Sequence, residues 1–189
     1  RGWTETDSGG GSSTMQDEVD GGLLVSSGTG TNNVREINFN TIHNFSPTGA
    51  VFIAIVKATP TSGNSSGGFC GAGLKGGGNS LPSSYANISY FESHQGASNF
   101  RHAIGRSSSS PDEQIDTGVT RDTNWHLIKI ENGASNSKLS IDGILRSSGA
   151  VSSGNVPNAK QQPFFCGHHG TSGNGATTVG IRYCEAYNT

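Results

Sequence analysis

Asn124-Trp125-His126-Leu127-Ile128-Lys129-Ile130 is followed, after a polar Glu-Asn-Gly-Ala-Ser-Asn-Ser connection, by Lys138-Leu139-Ser140-Ile141-Asp142-Gly143-Ile144-Leu145. Both halves alternate apolar and polar residues with the period of a half-buried strand. Asp142-Gly143 is a turn pair that supplies positive φ at little cost, so the second strand turns there and a third begins at Ile144. Trp125 is predicted to be a large anchor filling a sheet core. Asp142 is predicted to be a turn residue rather than a ligand.

Composition agrees with this start. Only 31% of the residues are apolar and 14% charged, while 29 glycines with many Ser, Thr and Asn make up the difference. Such a mixture suits an all-β chain with many turns and long polar loops. No stretch keeps the i, i+3, i+4, i+7 spacing of an amphipathic helix. At 189 residues the chain is long enough for one domain with a real core. Net charge is −2 with Lys and Arg scattered, which excludes the basic stripe of a nucleic-acid binder. No apolar run approaches the ~20 residues that cross a bilayer, so membrane insertion is not expected. The chain opens on Arg1, which fits a mature product or a fragment.

Other segments extend the pattern. Residues 1–20 read as an extended polar N-terminal segment anchored by Trp3, and residues 21–189 as the sandwich. Val34 to Phe39 alternates, setting Val34, Glu36 and Asn38 opposite Arg35, Ile37 and Phe39. Ala50 to Lys57 is the most apolar run and is predicted to be a central strand covered on both faces. Residues 59–84 form a long glycine-rich loop of the kind that binds or docks, with a short strand conceivable from Phe69 to Leu74. Two strands follow around Gly96, a weak one spans Ile115 to Val119, and Phe164–Gly167 and Thr178–Tyr187 close the chain. Roughly ten to twelve short strands with turn signals between them indicate a two-sheet antiparallel β-sandwich or jelly roll.

Cys70, Cys166 and Cys184 are an odd set. At least one thiol is free or paired between chains; Cys166 with Cys184 is the preferred bridge, the alternative being three small buried apolar residues. CxxC spacing is absent, which argues against zinc.

The hairpin Asp122 to Gly143 resembles the "W-H-x-V … L-Y-V-D-G" unit of concanavalin A-like and laminin-G-like sandwiches. Gly180 to Asn188 is similar to the last strand of that superfamily, and Ala50 to Lys57 to its early "F-x-I-x-x-V-x-K" strand. The resemblance implies two antiparallel sheets, one of them curved, with glycans bound on the concave face or by rim loops. It also implies a work place outside the cytosol: extracellular, at a cell surface or on a virion. Members include glycanases, polysaccharide lyases, adhesion modules and decorations of virions and fibres, so fold does not choose among them.

The chemistry-bearing residues narrow that range. A glycanase needs paired carboxylates, and the superfamily's E-x-D-x-x-E pattern is missing; Asp17-Glu18, Asp20 and Asp112-Glu113 look like solvated loops. On a strand over 86–94, Tyr90, Glu92 and His94 share a face. On a paired strand over 99–105, Asn99, Arg101 and Ala103 line the same face while Phe100, His102 and Ile104 turn inward. Tyr, His and Arg together fit a lyase, but the R-x-E-L-R and Q-I-H signatures are absent. A polar strand face facing water needs no function at all. His168-His169 could bind a transition metal only in a loop. Calcium is compatible with the superfamily, yet no dense acidic loop appears and no cofactor is expected. Asn44, Asn64 and Asn87 fit the N-glycosylation pattern.

The expectation is a non-catalytic recognition or adhesion module. It would bind a glycan or cell-surface polysaccharide through Tyr90, Glu92, His94, Asn99 and Arg101, or through the loop 59–84. The alternative is a structural subunit or decoration of a virion, pilus or surface fibre that assembles with copies of itself. A polysaccharide lyase comes third.

Overall fold

The structure is a computed structural model and describes residues 3–15, 22–39, 45–59, 68–76, 86–106, 111–147, 155–170 and 176–189. These hold fourteen strands and no helix. In chain order they are β1 (Thr4–Ser8), β2 (Ser12–Met15), β3 (Leu23–Ser26), β4 (Val34–Asn38), β5 (Ala50–Thr59), β6 (Phe69–Gly76) and β7 (Ile88–His94). Then come β8 (Asn99–Gly105), β9 (Glu113–Thr120), β10 (Trp125–Asn132), β11 (Ser137–Ile141), β12 (Ile144–Ser147), β13 (Gln161–His168) and β14 (Thr178–Asn188).

The strands form two seven-stranded antiparallel sheets. Sheet 1 runs β1-β4-β13-β6-β7-β8-β9 and sheet 2 runs β12-β11-β10-β5-β14-β3-β2. Residues 4–15 enter both sheets, β1 at an edge of sheet 1 and β2 at an edge of sheet 2, with a bend at Gly9 and Gly10 between them. Arg35 on β4 ties this arm down: it pairs with Glu5, lies 3.5 Å from Asp7 and donates to Ser13 Oγ at 3.0 Å. Trp3 stacks on Phe39 at a centroid distance of 4.0 Å.

Period-two patterning explains the core. Phe52, Ala54, Val56 and Ala58 of β5 and Ile128 and Ile130 of β10 meet Cys70, Ala72, Leu74, Phe91, Phe100 and Phe165 from sheet 1. The buried Val, Leu, Ile and Phe side chains among these each contribute about 1.5–3 kcal/mol. Phe91 packs on Phe100 at 4.7 Å and Phe52 on Phe165 at 5.7 Å.

Three expectations are corrected here. Trp125 is not in the core: the buried members of β10 are His126, Ile128 and Ile130, which puts Trp125 and Leu127 on the outer face of sheet 2. His126 can turn inward because both its ring nitrogens are bonded, Nδ1 to Asp142 at 2.7 Å and Nε2 to Asp122 at 2.9 Å. The indole instead lies under the Arg182 guanidinium, 4.1 Å away, in the space left by Gly180. β5 is central but covered on one face only, since Ile53, Ile55 and Lys57 remain half-exposed. Finally, Cys166 and Cys184 do not pair, and all three thiols are free. Cys166 sits in sheet 1 facing away from sheet 2, whereas Cys184 packs against the core from sheet 2.

The middle of the predicted 59–84 loop is β6, which contains the short strand conceived from Phe69 to Leu74 and lies inside sheet 1, buried from Phe69 to Lys75. Residues 60–67 and 77–85, and with them Asn64, lie outside the described residues, as does Asn44. Asp142 takes φ 53° and so does hold the turn.

A buried polar relay joins the sheets. Asn132 donates to Gln161 Oε1 at 2.7 Å, and Gln161 donates to the Asn87 carbonyl at 2.6 Å. Ser137 donates to Asn132 Oδ1 at 2.6 Å and therefore accepts from Ser89, also at 2.6 Å. Ser89 in turn accepts from His102 Nε2 at 3.0 Å, leaving Nδ1 to accept from Ser147 at 3.0 Å. The direction of this chain assigns His102 as the neutral Nε2–H tautomer. Burial agrees, holding its pKa down at about 3.

Candidate functional site

The outer face of sheet 1 is the polar one. Antiparallel register lines its side chains into rows across the strands. One row runs Asn38–Phe164–Gly73–Tyr90–Ala103–Gln114, and the next runs Glu36–Cys166–Gly71–Glu92–Arg101–Asp116. A third holds Val34, His168, Phe69 and His94.

Tyr90 is the centre of this face because β6 leaves room for it. A Cβ on Gly73 would lie 2.6 Å from Tyr90 Cα and 2.5 Å from the Ser89 carbonyl, and one on Gly71 2.9 Å from the Tyr90 ring. Only glycine permits this approach, and it lets the phenol reach across β6 to the Phe164 ring at 5.5 Å. The Phe69 ring stands 6.1 Å away, and Ile88, Ala103 and Cys166 complete an apolar floor.

Around the floor stand charges. Glu36 meets Lys75 Nζ at 2.5 Å and accepts from Asn38, a buried pair. Burial raises the Glu36 pKa, and the lysine's charge and hydrogen bonds offset part of that rise. Glu92, 1% exposed, accepts from Tyr90 at 3.4 Å and from Gln114 Nε2 at 3.2 Å. Its pKa is pushed up to about 7 by burial, against the pull of the Arg101 charge and the Tyr90 hydrogen bond. Arg101 donates to Gln114 Oε1 at 2.9 Å, so one amide bridges the guanidinium and the carboxyl. Charge-assisted bonds of this type are the strong ones.

The predicted set is thus divided by depth. Glu92 and Arg101 face each other in register, and Tyr90 bonds Glu92. Phe100, His102 and Ile104 turn away from this face, as the alternation requires. Tyr90 and Glu92 lie at the buried floor, while His94, Asn99 and Arg101 are half-buried at the margin. His94 is turned aside: its Nδ1 bonds the Gln95 carbonyl at 2.5 Å, and burial, with Arg101 and Arg121 nearby, lowers its pKa. Asn99 donates to both Asp116 oxygens, at 2.9 and 3.2 Å.

Gln114 and Asp116 were missed because Ile115–Val119 reads as a weak strand. β9 in fact starts at Glu113, so Glu113 is not in the solvated loop expected for Asp112-Glu113. The alternation Gln114-Ile115-Asp116 carried the signal. Glu36 and Lys75 were not identified either, since their meeting depends on β13 lying between β4 and β6.

His168 ends β13 against the Phe69 ring at 5.2 Å, and buried His169 bonds the Gly170 carbonyl through Nδ1 at 3.0 Å. Among the described residues no group of three or more His, Cys, Asp or Glu is placed to hold a metal ion.

No protein-family model matches the chain, and no curated protein is similar to it. Solved structures are. A family 16 glycoside hydrolase from a mixed-linkage glucan locus of Bacteroides ovatus, in complex with its product, is 13% identical with a TM-score of 0.68, covering 98% of this chain and 94% of its own. Family 7 alginate lyase A1-II', in complex with substrate, is 14% identical with a TM-score of 0.63, over 93% and 81% of the two chains. The Emp46p carbohydrate recognition domain, in potassium-bound form, is 12% identical with a TM-score of 0.61, over 98% and 88%. The chain therefore has the concanavalin A-like jelly-roll fold. At these identities the likeness extends to the fold and not to the activity.

Proposed function

We propose that this protein is a non-catalytic carbohydrate-binding jelly roll that holds a glycan at the β7–β8–β9 margin of sheet 1. The observation that carries this reading is the Glu92–Gln114–Arg101 chain, with Asn99 and Asp116 beside it. It sets fixed donors and acceptors side by side at an accessible edge, the arrangement that recognises vicinal hydroxyls or a sugar carboxylate. Solved structures of the same fold bound to sugars support the ligand class. Work at an extracellular, cell or virion surface belongs to the same proposal.

Catalysis is less well served. Glu36 and Glu92 stand three strands apart in one row, about 14 Å at ordinary strand spacing, where a glycosidase pair needs about 5–9.5 Å. Tyr90 is 2% exposed, and burial together with the Glu92 charge raises its pKa well above the ordinary value. That is the reverse of what a lyase base requires.

A glycan array spanning neutral β-glucans and polyuronates tests the proposal. Saturable binding should weaken roughly tenfold or more in Arg101→Ala, the loss expected for a charged hydrogen bond. Absence of binding to every glycan would overturn it.

A further inference from the structure

On the outer face of sheet 1, away from the β7–β8–β9 margin, an amine, a carboxyl and an amide meet in one buried cluster. Alternation puts Glu36 and Asn38 on one face of β4, and β13 separates that strand from β6, which carries Lys75. Cys166 stands opposite Glu36, Phe164 opposite Asn38 and Gln162 opposite Lys75. The lysine therefore reaches diagonally over β13, and its Nζ comes within 2.5 Å of Glu36 Oε1. Asn38 Nδ2 donates to that same oxygen. Sharing one acceptor holds the two nitrogens within two hydrogen-bond lengths of each other, about 5–6 Å. Lys75 and Glu36 are 1% exposed and Asn38 0%, so bulk water does not solvate any of the three. A lysine is almost never hidden this deeply, and a buried ion pair contributes little over a well-packed apolar one.

We infer that Lys75 and Asn38 condense into an intramolecular isopeptide bond, with Glu36 as the catalytic acid and base. Lys75 first passes a proton from Nζ to Glu36 Oε1 along the existing contact, leaving a neutral amine and a neutral carboxyl. Burial favours this exchange because it penalises both charges, and it raises the Glu36 pKa even against the pull of Lys75. The Nζ lone pair then forms a bond to Asn38 Cγ, and the carbonyl electron pair moves onto Oδ1. Glu36 delivers its proton to Nδ2, which it already touches, and takes one from Nζ. As the Oδ1 pair closes the carbonyl again, the Cγ–Nδ2 bond breaks and ammonia leaves. An amine and a primary amide have become a secondary amide and ammonia, Glu36 ends protonated, and no oxidant or co-substrate is consumed.

The surroundings suit the step. Phe164 and Cys166, both 0% exposed, belong to the apolar floor beside the cluster. Three strands of one sheet hold the reactants in place, which replaces an encounter in solution by a fixed approach. The bond braces β4 to β6 across β13, strands that are not neighbours in the sheet. All three cysteines are free, so no disulfide supplies such a brace. The cross-link neither needs nor excludes a glycan at the margin.

Intact-mass spectrometry of the full chain under denaturing conditions is the test. The expected mass is below that of the sequence by one ammonia. Trypsin should then release Glu36–Lys57 joined to Ala58–Arg101, uncut after Lys75. Lys75→Arg and Glu36→Gln should each restore the full mass. Asn38→Asp should lose one water in place of ammonia, because its carboxyl offers the same carbon to Nζ. That exchange ties the loss to this side chain rather than to ring closure at another asparagine. A wild-type chain that keeps its full mass after days at neutral pH would overturn the inference, whether or not the variants fold. So would an ammonia loss that persists in Lys75→Arg, or one that maps to peptides not joined through Lys75.

Discussion

Glu92 has its pKa raised to about 7, and so is about half protonated at neutral pH, because burial costs its charged form more than Arg101 and Tyr90 return. The sign for stability follows directly. Between the ordinary pKa of 4.5 and about 7, the unfolded chain releases a proton that the folded one keeps, so stability falls as pH rises through that window. The full shift is on the order of 3 kcal/mol. Glu92→Gln should flatten this loss in urea unfolding between pH 4.5 and 7, and an unchanged slope would mean the carboxyl is not desolvated. His102 works in the opposite direction, with a pKa of about 3 in place of 6.5 owing to burial. Below pH 6.5 the unfolded chain takes up a proton that folded His102 refuses, and stability falls toward pH 3 by an amount on the order of 5 kcal/mol. His102→Gln keeps a neutral donor and acceptor, so it should weaken the acid limb while the Glu92 limb stays in place. Residue identities along 86–105 were legible from alternation: Tyr90 and Glu92 share a face and His102 turns inward. Depth was not, because period two reports the face but not what covers it.

At the level of elements, β6 shows how glycines place a large side chain on a sheet face. Gly71 and Gly73 fall in a glycine-rich stretch that reads as a loop with at most a short strand over Phe69–Leu74, since glycine usually marks a turn. In sheet 1 they allow Tyr90 to lie flat over a neighbouring strand, where any Cβ would collide with backbone atoms. Gly73→Ala should therefore destabilise the fold by about 2 kcal/mol or more in chemical denaturation, the cost of overpacking that cannot relax. A neutral effect would show that β6 and β7 can separate there. The β10 hairpin shows a related ambiguity. Its two strands and the Asp142-Gly143 turn followed from sequence, although Glu131, Asn132 and Ser137 of the expected connection belong to the strands, and Trp125-His126-Leu127-Ile128 has a large apolar residue on either phase. The inward phase is decided by Asp122 and Asp142 bonding His126, contacts a one-dimensional pattern does not contain. The same limit explains the rejected Cys166–Cys184 pairing, as neighbouring segments in the chain lie in different sheets.

For the whole molecule, the two outer faces differ in character. The outer face of sheet 1 is polar, organised around Glu92, Gln114 and Arg101, and the outer face of sheet 2 is apolar with balanced charges. Fold class was readable because turn signals and alternation repeat through the chain. The rim's second half was not, since Gln114 and Asp116 join Arg101 and Asn99 only when β9 pairs with β8. The most direct test is a nuclear magnetic resonance titration with mixed-linkage β-glucan and polyuronate oligosaccharides, following side-chain and backbone amides. Shifts that saturate and cluster at Asn99, Arg101 and Gln114, and that disappear in Arg101→Ala, are the expected result. Shifts confined to Leu127 and Tyr183, or none with any sugar, would contradict a glycan site on sheet 1.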